Sequence, residues 1–132
     1  MSPRELSLEE ARALVPFSVL LPTLLPEGAR LSGCLLAPDD PPGWLGLTYV
    51  IDPGARNSLH IQQGPSVASG AQDLVAWEHA MVDDVELRIQ ERGGEGFHTV
   101  EVFLTREGVP VLAHSDLDRG AVVAIALSLE RA

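Results

Sequence analysis

Short segments in which every second residue is apolar recur along the chain between residues 30 and 114. In one of them, Leu45, Leu47 and Tyr49 alternate with glycine and threonine. Because successive side chains of a strand point to opposite sides, this period of two is typical of a strand with one buried face. Clusters of Asp, Pro and Gly separate several segments, which favours antiparallel pairing. The pattern predicts about six strands, at residues 30–37, 44–51, 58–63, 85–90, 100–104 and 109–114.

A helix is predicted before these strands. Ser7 and Glu10 have the spacing of a capping box, which indicates a helix over residues 8–14. The helix is expected to end there, because a proline disfavours the helical conformation in the residue before it and Pro16 follows closely. Two further prolines recur in the apolar segment 15–28, which predicts an extended, buried connector.

A second helix is predicted to close the chain over residues 121–129, where nearly every side chain is apolar. Asp116 or Asp118 is a plausible N-cap for it. The fold class is therefore α+β: an antiparallel sheet of about six strands with an N-terminal helix, a possible short middle helix and a C-terminal helix. The length of 132 residues fits a single domain, residues 1–132.

The pattern is least regular between the third and fourth predicted strands. Residues 64–70 are small, which predicts a loop. Leu74, Trp77 and Met81 then recur at helical intervals, which predicts a short helix over residues 70–81. An edge strand is the alternative for the same residues, because apolar and polar side chains also alternate there.

The charge of the chain restricts its partners. It carries 19 acidic side chains against 9 basic ones, all arginine, for a net charge of −10. Nucleic acids and anionic lipids are poor partners, since they bind clustered basic residues and these arginines are scattered. A protein with a basic surface is expected to be attracted instead. The sequence shows no membrane span and no signal peptide, which predicts a cytoplasmic location as written, or an extracytoplasmic one if the chain is an excised domain.

No motif in the sequence predicts catalysis or metal binding. The segment Gly64-Pro65-Ser66-Val67-Ala68 departs from a nucleophile elbow at its last position, so a hydrolase is only a remote alternative. His79, Asp83 and Asp84 form the best metal-ligand trio if the predicted helix reaches Asp83, but acidic pairs at the end of a helix are usually solvated. Cys34 lies in an apolar run and is expected to be a buried thiol. We therefore expect no catalytic residue, no metal and no cofactor, and no enzymatic activity.

One group of side chains suits recognition of a protein: Trp77, His79, Met81, Asp83 and Asp84. Tryptophan is favoured at the energetic centre of interfaces, and the acidic pair would speed the encounter with a basic surface. These residues predict a non-enzymatic protein-interaction or sensing module. A carrier that holds a small apolar ligand between sheet and helices is the alternative. For Trp77 itself, the competing interpretation is a plug at the end of the core.

A resemblance to a known family spans nearly the whole chain in the family's order. Its N-terminal part consists of Leu8-Glu9-Glu10-Ala11, Pro16-Phe17, Leu21-Pro22 and Leu25-Pro26-Glu27-Gly28. Its later parts are Leu59-His60-Ile61-Gln62-Gln63 and Leu117-Asp118 followed by Ile125-Ala126-Leu127-Ser128-Leu129. Together they resemble the bacterial domain of unknown function numbered 4367, found in C-terminal parts of anti-sigma-factor-like and lipoprotein-sorting-like proteins. The resemblance implies an extracytoplasmic sensing or interaction module and carries over no active-site residue.

Overall fold

The computed structural model of the chain describes residues 3–52, 57–70 and 77–131. Ten strands and three helices lie within these residues. In chain order they are β1 (Arg4–Leu6), α1 (Leu8–Leu14), β2 (Leu20–Pro22), β3 (Arg30–Leu36), β4 (Leu45–Asp52), β5 (Asn57–Gln63), α2 (Pro65–Gly70), β6 (Glu78–Val82), β7 (Val85–Gly94), β8 (Phe97–Arg106), β9 (Val109–Ser115), α3 (Arg119–Leu127) and β10 (Leu129–Arg131).

The main sheet is antiparallel and has the strand order β1-β3-β4-β5-β9-β8-β7-β6. Two consecutive meanders form it, β3 to β5 and β6 to β9, and they join where β5 pairs with β9. The six predicted strands correspond to β3, β4, β5, β7, β8 and β9, so the predicted antiparallel sheet is confirmed. Among the described residues the sheet has eight strands rather than about six, because β1 and β6 extend its two edges.

Two predictions for the middle of the chain are wrong. Small residues predicted a loop where α2 forms, and Pro65 begins that helix at a position where its missing N–H is not needed. Residues 78–81, predicted as helix, belong to β6, because hydrogen bonding to β7 outweighs their helical spacing. The alternative of an edge strand is confirmed for them. Residues 71–76 of the predicted helix lie outside the described residues.

α1 begins at Leu8, as predicted, and α3 begins at Arg119, two residues before the predicted segment. Ser7 Oγ accepts a hydrogen bond from the N–H of Glu10 at 3.2 Å, and the N–H of Ser7 donates to Glu10 Oε1 at 3.2 Å. This capping box lowers the pKa of the Glu10 carboxyl group. Asp118, rather than Asp116, caps α3 by accepting a hydrogen bond from the N–H of Ala121 at 2.9 Å. α3 ends earlier than predicted, since the chain continues into β10.

One face of the main sheet is buried together with helical side chains. Alternate residues of the central strands, such as Leu47 and Ile61, lie in a single apolar cluster. α1 contributes Ala11 to this cluster, and α3 contributes Ile125. Cys34 also belongs to it, as predicted, and burial raises the pKa of its thiol. The residues between these buried positions point to the opposite face of the sheet, where the candidate site lies.

A two-stranded sheet pairs β2 with β10 and fixes the proline-rich connector against the end of the chain. Beside it, the backbone N–H and the hydroxyl of Thr23 donate to the carbonyl oxygen of Ser128 at 3.2 and 2.8 Å. Ser128 Oγ donates in turn to the carbonyl oxygen of Ile125 at 2.7 Å. The connector is therefore held by strand pairing and by hydrogen bonds to the end of α3.

Candidate interaction surface

The exposed face of the main sheet carries one continuous row of residues that crosses all eight strands. Residues paired directly on neighbouring strands lie on the same face, so the strand register defines the row. It consists of Glu5, Leu35, Gly46, Gln62, Leu112, Phe103, Arg88 and His79. We call it the transverse row. Its middle is largely apolar and its ends carry polar or charged side chains.

A groove of about 390 Å³ lies on this face, across β3, β4, β5 and β9. Leu35, Trp44 and Leu112 supply apolar lining. Gly46 lies beside the indole ring of Trp44: a Cβ at Gly46 would be 3.5 Å from the ring, an ordinary contact distance. Leu35 is 42% exposed and Trp44 is half-buried, so the apolar lining is open to solvent. Apolar side chains open to solvent beside polar groups are available for contact with a partner.

A second row of polar residues borders the groove. The register places Thr48, His60, His114 and Glu101 side by side on β4, β5, β9 and β8. The rings of His60 and His114 are stacked, with centroids 5.9 Å apart and planes at 30°. Thr48 Oγ1 lies 3.2 Å from His60 Nδ1. We call these four residues the polar row.

The polar row presents a neutral imidazole at its centre near neutral pH. Burial, and secondly the neighbouring His114, lower the pKa of His60, while Asp116 acts in the opposite direction. Because the ordinary histidine pKa is already 6.5, His60 is mainly uncharged at about pH 7. At the end of the row, Glu101 Oε1 lies 3.6 Å from Arg92 Nε. The groove thus combines apolar surface with imidazole and hydroxyl groups that can form hydrogen bonds.

The five residues predicted to bind a partner lie in and around β6. His79 and Met81 lie on the exposed face, and Met81 is 61% exposed. Asp83 and Asp84 form the turn to β7 with positive φ angles of 49° and 64°. Trp77 is half-buried and directly precedes β6. The structure therefore places the group at one end of the transverse row rather than on a helix.

The three residues considered as the best metal-ligand trio do not form a metal site. His79 Nε2 lies 3.2 Å from Glu86 Oε1, while Asp83 and Asp84 occupy the turn beyond the strand. Across residues 3–52, 57–70 and 77–131, no group of three or more His, Cys, Asp or Glu side chains could hold a metal ion.

The segment considered as a nucleophile elbow has its backbone donors already engaged. The N–H of Ser66 donates to the carbonyl oxygen of Gly43 at 2.9 Å, and the N–H of Val67 donates to that of Gly64 at 3.1 Å. An oxyanion hole needs such N–H groups directed at the substrate. Pro65 has no N–H to contribute. The local geometry gives hydrolase chemistry no support at this turn.

The sequence does not predict that four residues of the exposed face lie together: Trp44, His60, His114 and Glu101. The sequence feature that could have identified them is that each lies at or next to an outward-facing position of a predicted strand. Their grouping depends on β5 pairing with β9, which brings together segments far apart in the chain. A single sequence does not reveal that pairing.

No protein-family model matches the chain, and no curated protein matches it. The resemblance to the domain of unknown function numbered 4367 therefore stays a prediction. In the part of the chain that the structure describes, no helix has the length and apolar character needed to cross a membrane.

Proposed function

We propose that this chain is a non-enzymatic module that binds a protein partner on the exposed face of its sheet. The observation that carries the proposal is the groove at Leu35, Trp44 and Leu112, where apolar surface lies open beside the polar row. Protein contact sites commonly combine an apolar centre with a polar rim. Tryptophan is also among the side chains that contribute most to binding when a partner covers them.

The charge of the chain favours a basic partner. The net charge is −10, and the described residues that line the groove include Glu101 but no arginine. Complementary charge speeds association and discriminates between partners. Binding of this kind would also serve the sensing role that the family resemblance implies.

A carrier of a small apolar ligand has less support. The space between the main sheet and the helices contains closely buried side chains such as Leu47, Leu104 and Ile125, each at most 2% exposed. A carrier needs a cavity of about 300 Å³ or more that covers most of its ligand. The groove instead opens to solvent on the opposite face of the sheet. Recognition at the surface is therefore the function that the geometry supports best.

The proposal is tested by selecting binders from a random peptide library against the folded protein and comparing variants. The substitutions Leu35→Ser and Trp44→Ala are each expected to lower the affinity for the selected peptides by about tenfold or more. Leu14→Ser is the matched control, because Leu14 is 46% exposed but lies on α1. We expect the binders to shift the amide NMR signals of Thr48 and His114.

Three outcomes would contradict the proposal. The library could yield no binder specific for the folded protein, or binders that ignore both groove substitutions. Alternatively, an apolar fluorescent probe could bind stoichiometrically and shift the signals of core residues such as Ile125, which would favour the carrier. Thermal unfolding of each variant separates a loss of binding from a loss of folding.

A further inference from the structure

β6 leaves one side of its backbone without a strand partner. It stands last in the strand order of the main sheet and pairs with β7 alone, among the residues that the structure describes. It is five residues long, and its register with β7 is unbroken. An open edge of this kind is a template to which another extended chain can add.

The turn between β6 and β7 determines which backbone groups face the open side. Residues 83–84 form a two-residue turn with positive φ at both positions, as in a type I′ hairpin. Val82 and Val85 flank the turn as a hydrogen-bonded pair, and such pairs alternate with non-hydrogen-bonded pairs along an antiparallel ladder. Met81 and His79 therefore occupy non-hydrogen-bonded positions. Their N–H and C=O groups point away from β7, toward the open side.

Within the part of the chain that the structure describes, β6 also lacks several of the usual protections of an edge strand. Natural edges are often very short, or carry lysine, proline or a bulge. The opposite edge, β1, has only three residues, begins with Arg4 and is preceded by Pro3. β6 has no lysine, proline or bulge. Its one acidic side chain, Glu78, is paired with Arg119 at the start of α3, where Arg119 Nη1 lies 3.0 Å from Glu78 Oε1.

The charges near this edge favour a basic occupant. Asp83 and Asp84 are exposed where β6 ends, and Glu86 lies on β7 directly opposite Met81. Arg88 Nη2 lies 3.4 Å from Oε1 of this same Glu86, so these two charges offset each other and Asp83 and Asp84 carry the attraction. A second copy of the chain is disfavoured, because two molecules that each carry a net charge of −10 repel each other. A segment rich in lysine or arginine is attracted instead.

We propose that β6 takes up an extended, lysine- or arginine-rich segment of the partner as an additional strand of the main sheet. The proposal rests on the proposed function and specifies the chemistry of the partner and its mode of binding. The added strand forms hydrogen bonds with the outward N–H and C=O groups of His79 and Met81. Its side chains on the exposed face continue the transverse row beyond His79, and its basic side chains lie near Asp83 and Asp84.

The experiment measures amide hydrogen exchange in the presence of two synthetic peptides. Each has about nine residues, and threonine alternates with lysine in one and with glutamate in the other. In the free protein, the outward amides of His79 and Met81 are expected to exchange faster than those of Ala80 and Val82, which face β7. The lysine peptide is expected to slow exchange at His79 and Met81 by about tenfold or more, and the glutamate peptide to have no effect. The amides of β1 serve as an internal control and stay unchanged.

Variants separate the backbone contribution from the side-chain contribution. Met81→Pro removes an outward N–H, which an edge strand tolerates, and is expected to abolish the lysine-peptide effect. Met81→Ala keeps the N–H, so this variant is expected to retain most of the slowing of exchange by the lysine peptide. The double substitution Asp83→Asn with Asp84→Asn keeps residues that tolerate positive φ while removing two charges. The double substitution is expected to lower the affinity for the lysine peptide by about fivefold and to reduce the dependence of binding on salt.

Several outcomes would overturn the inference. Exchange at His79 and Met81 could be unaffected by the lysine peptide, or both peptides could act equally. Protection of these amides that grows with protein concentration in the absence of peptide would identify a second copy as the occupant. If groove-dependent library binders persist while these amides stay unprotected, the edge proposal fails and the proposed function stands. If the amides are protected but Leu35→Ser and Trp44→Ala have no effect on library binders, the groove proposal fails instead.

Discussion

Gln63 uses its side-chain amide to form two hydrogen bonds with the backbone of Leu20. The N–H of Leu20 donates to Gln63 Oε1 at 2.7 Å, and Gln63 Nε2 donates to the carbonyl oxygen of Leu20 at 2.9 Å. Both residues are fully buried. A primary amide carries a donor and an acceptor side by side, so it can pair with a strand as another peptide group would. The pair links the two-stranded sheet at β2 to the end of β5 in the main sheet.

Replacing Gln63 by leucine is expected to lower the free energy of unfolding by about 2–5 kcal/mol, because two backbone groups of Leu20 then stay buried without partners. The matched control is Gln62→Leu, one residue away but on the exposed face, where we expect a change below about 1 kcal/mol. Urea denaturation followed by circular dichroism measures both. Equal effects of the two substitutions would contradict the assigned role of Gln63.

Two tight hairpins of similar geometry differ in how readily the sequence reveals them. Glu107 and Gly108 connect β8 to β9 with positive φ angles of 50° and 79°, and the glycine makes this turn recognisable. Asp83 and Asp84 adopt positive φ at both turn positions without a glycine. In their case, pairing of β6 with β7 outweighs the local preference. Alternation and caps were enough to place the six central strands and both terminal helices, whereas features held by tertiary contacts were not predictable.

Asp84→Gly is expected to raise the free energy of unfolding by about 0.5–1 kcal/mol. An L-residue with a side chain is strained at the φ of 64° that Asp84 adopts, and glycine removes this strain. Glu130→Gly, in β10, lies outside the described positive-φ positions and is expected to destabilise the protein instead. Thermal unfolding of the two variants checks the prediction. A loss of stability with Asp84→Gly would show that the turn carries no relievable strain.

The exposed face was harder to predict than the buried face. Apolar alternation shows which side of each strand is buried, so core residues such as Ile61 and Val102 follow from the sequence. It does not show which strands are neighbours across the β5–β9 junction. The stacking of His60 on His114 depends on that junction alone, because the two residues are paired directly across it.

The stability of the protein is expected to decrease as the pH falls below the ordinary histidine value, in part because of His60. Its pKa is lowered in the folded state, first by burial and then by His114, so the unfolded chain binds the proton more readily. This effect is absent above about pH 6.5 and grows as the pH falls through the folded-state pKa. His60→Gln is expected to lose less stability than wild type between about pH 8 and pH 5. Urea denaturation across this range tests the expectation, and identical pH profiles would contradict it.

The cause of the lowered pKa can be tested separately. His114→Gln removes the second cause but leaves the burial of His60 largely in place. The pKa of His60 is therefore expected to rise toward its ordinary value without reaching it. An NMR titration of the His60 ring in both proteins measures the change. An unaltered pKa would show that the stacked ring of His114 has no electrostatic influence.

Trp77→Ala distinguishes an interface anchor from a plug at the end of the core. Because Trp77 is half-buried and directly precedes the open edge of β6, the substitution is expected to cost only about 1–2 kcal/mol of stability. The substitution is also expected to lower the affinity for the lysine peptide by about fivefold or more, because tryptophan is enriched among the residues that dominate binding. Phe97→Ala is the control, because Phe97 is an exposed aromatic residue at the start of β8 and away from β6. A stability loss of about 3–5 kcal/mol with unchanged peptide affinity in the folded fraction would instead identify the ring as a core plug.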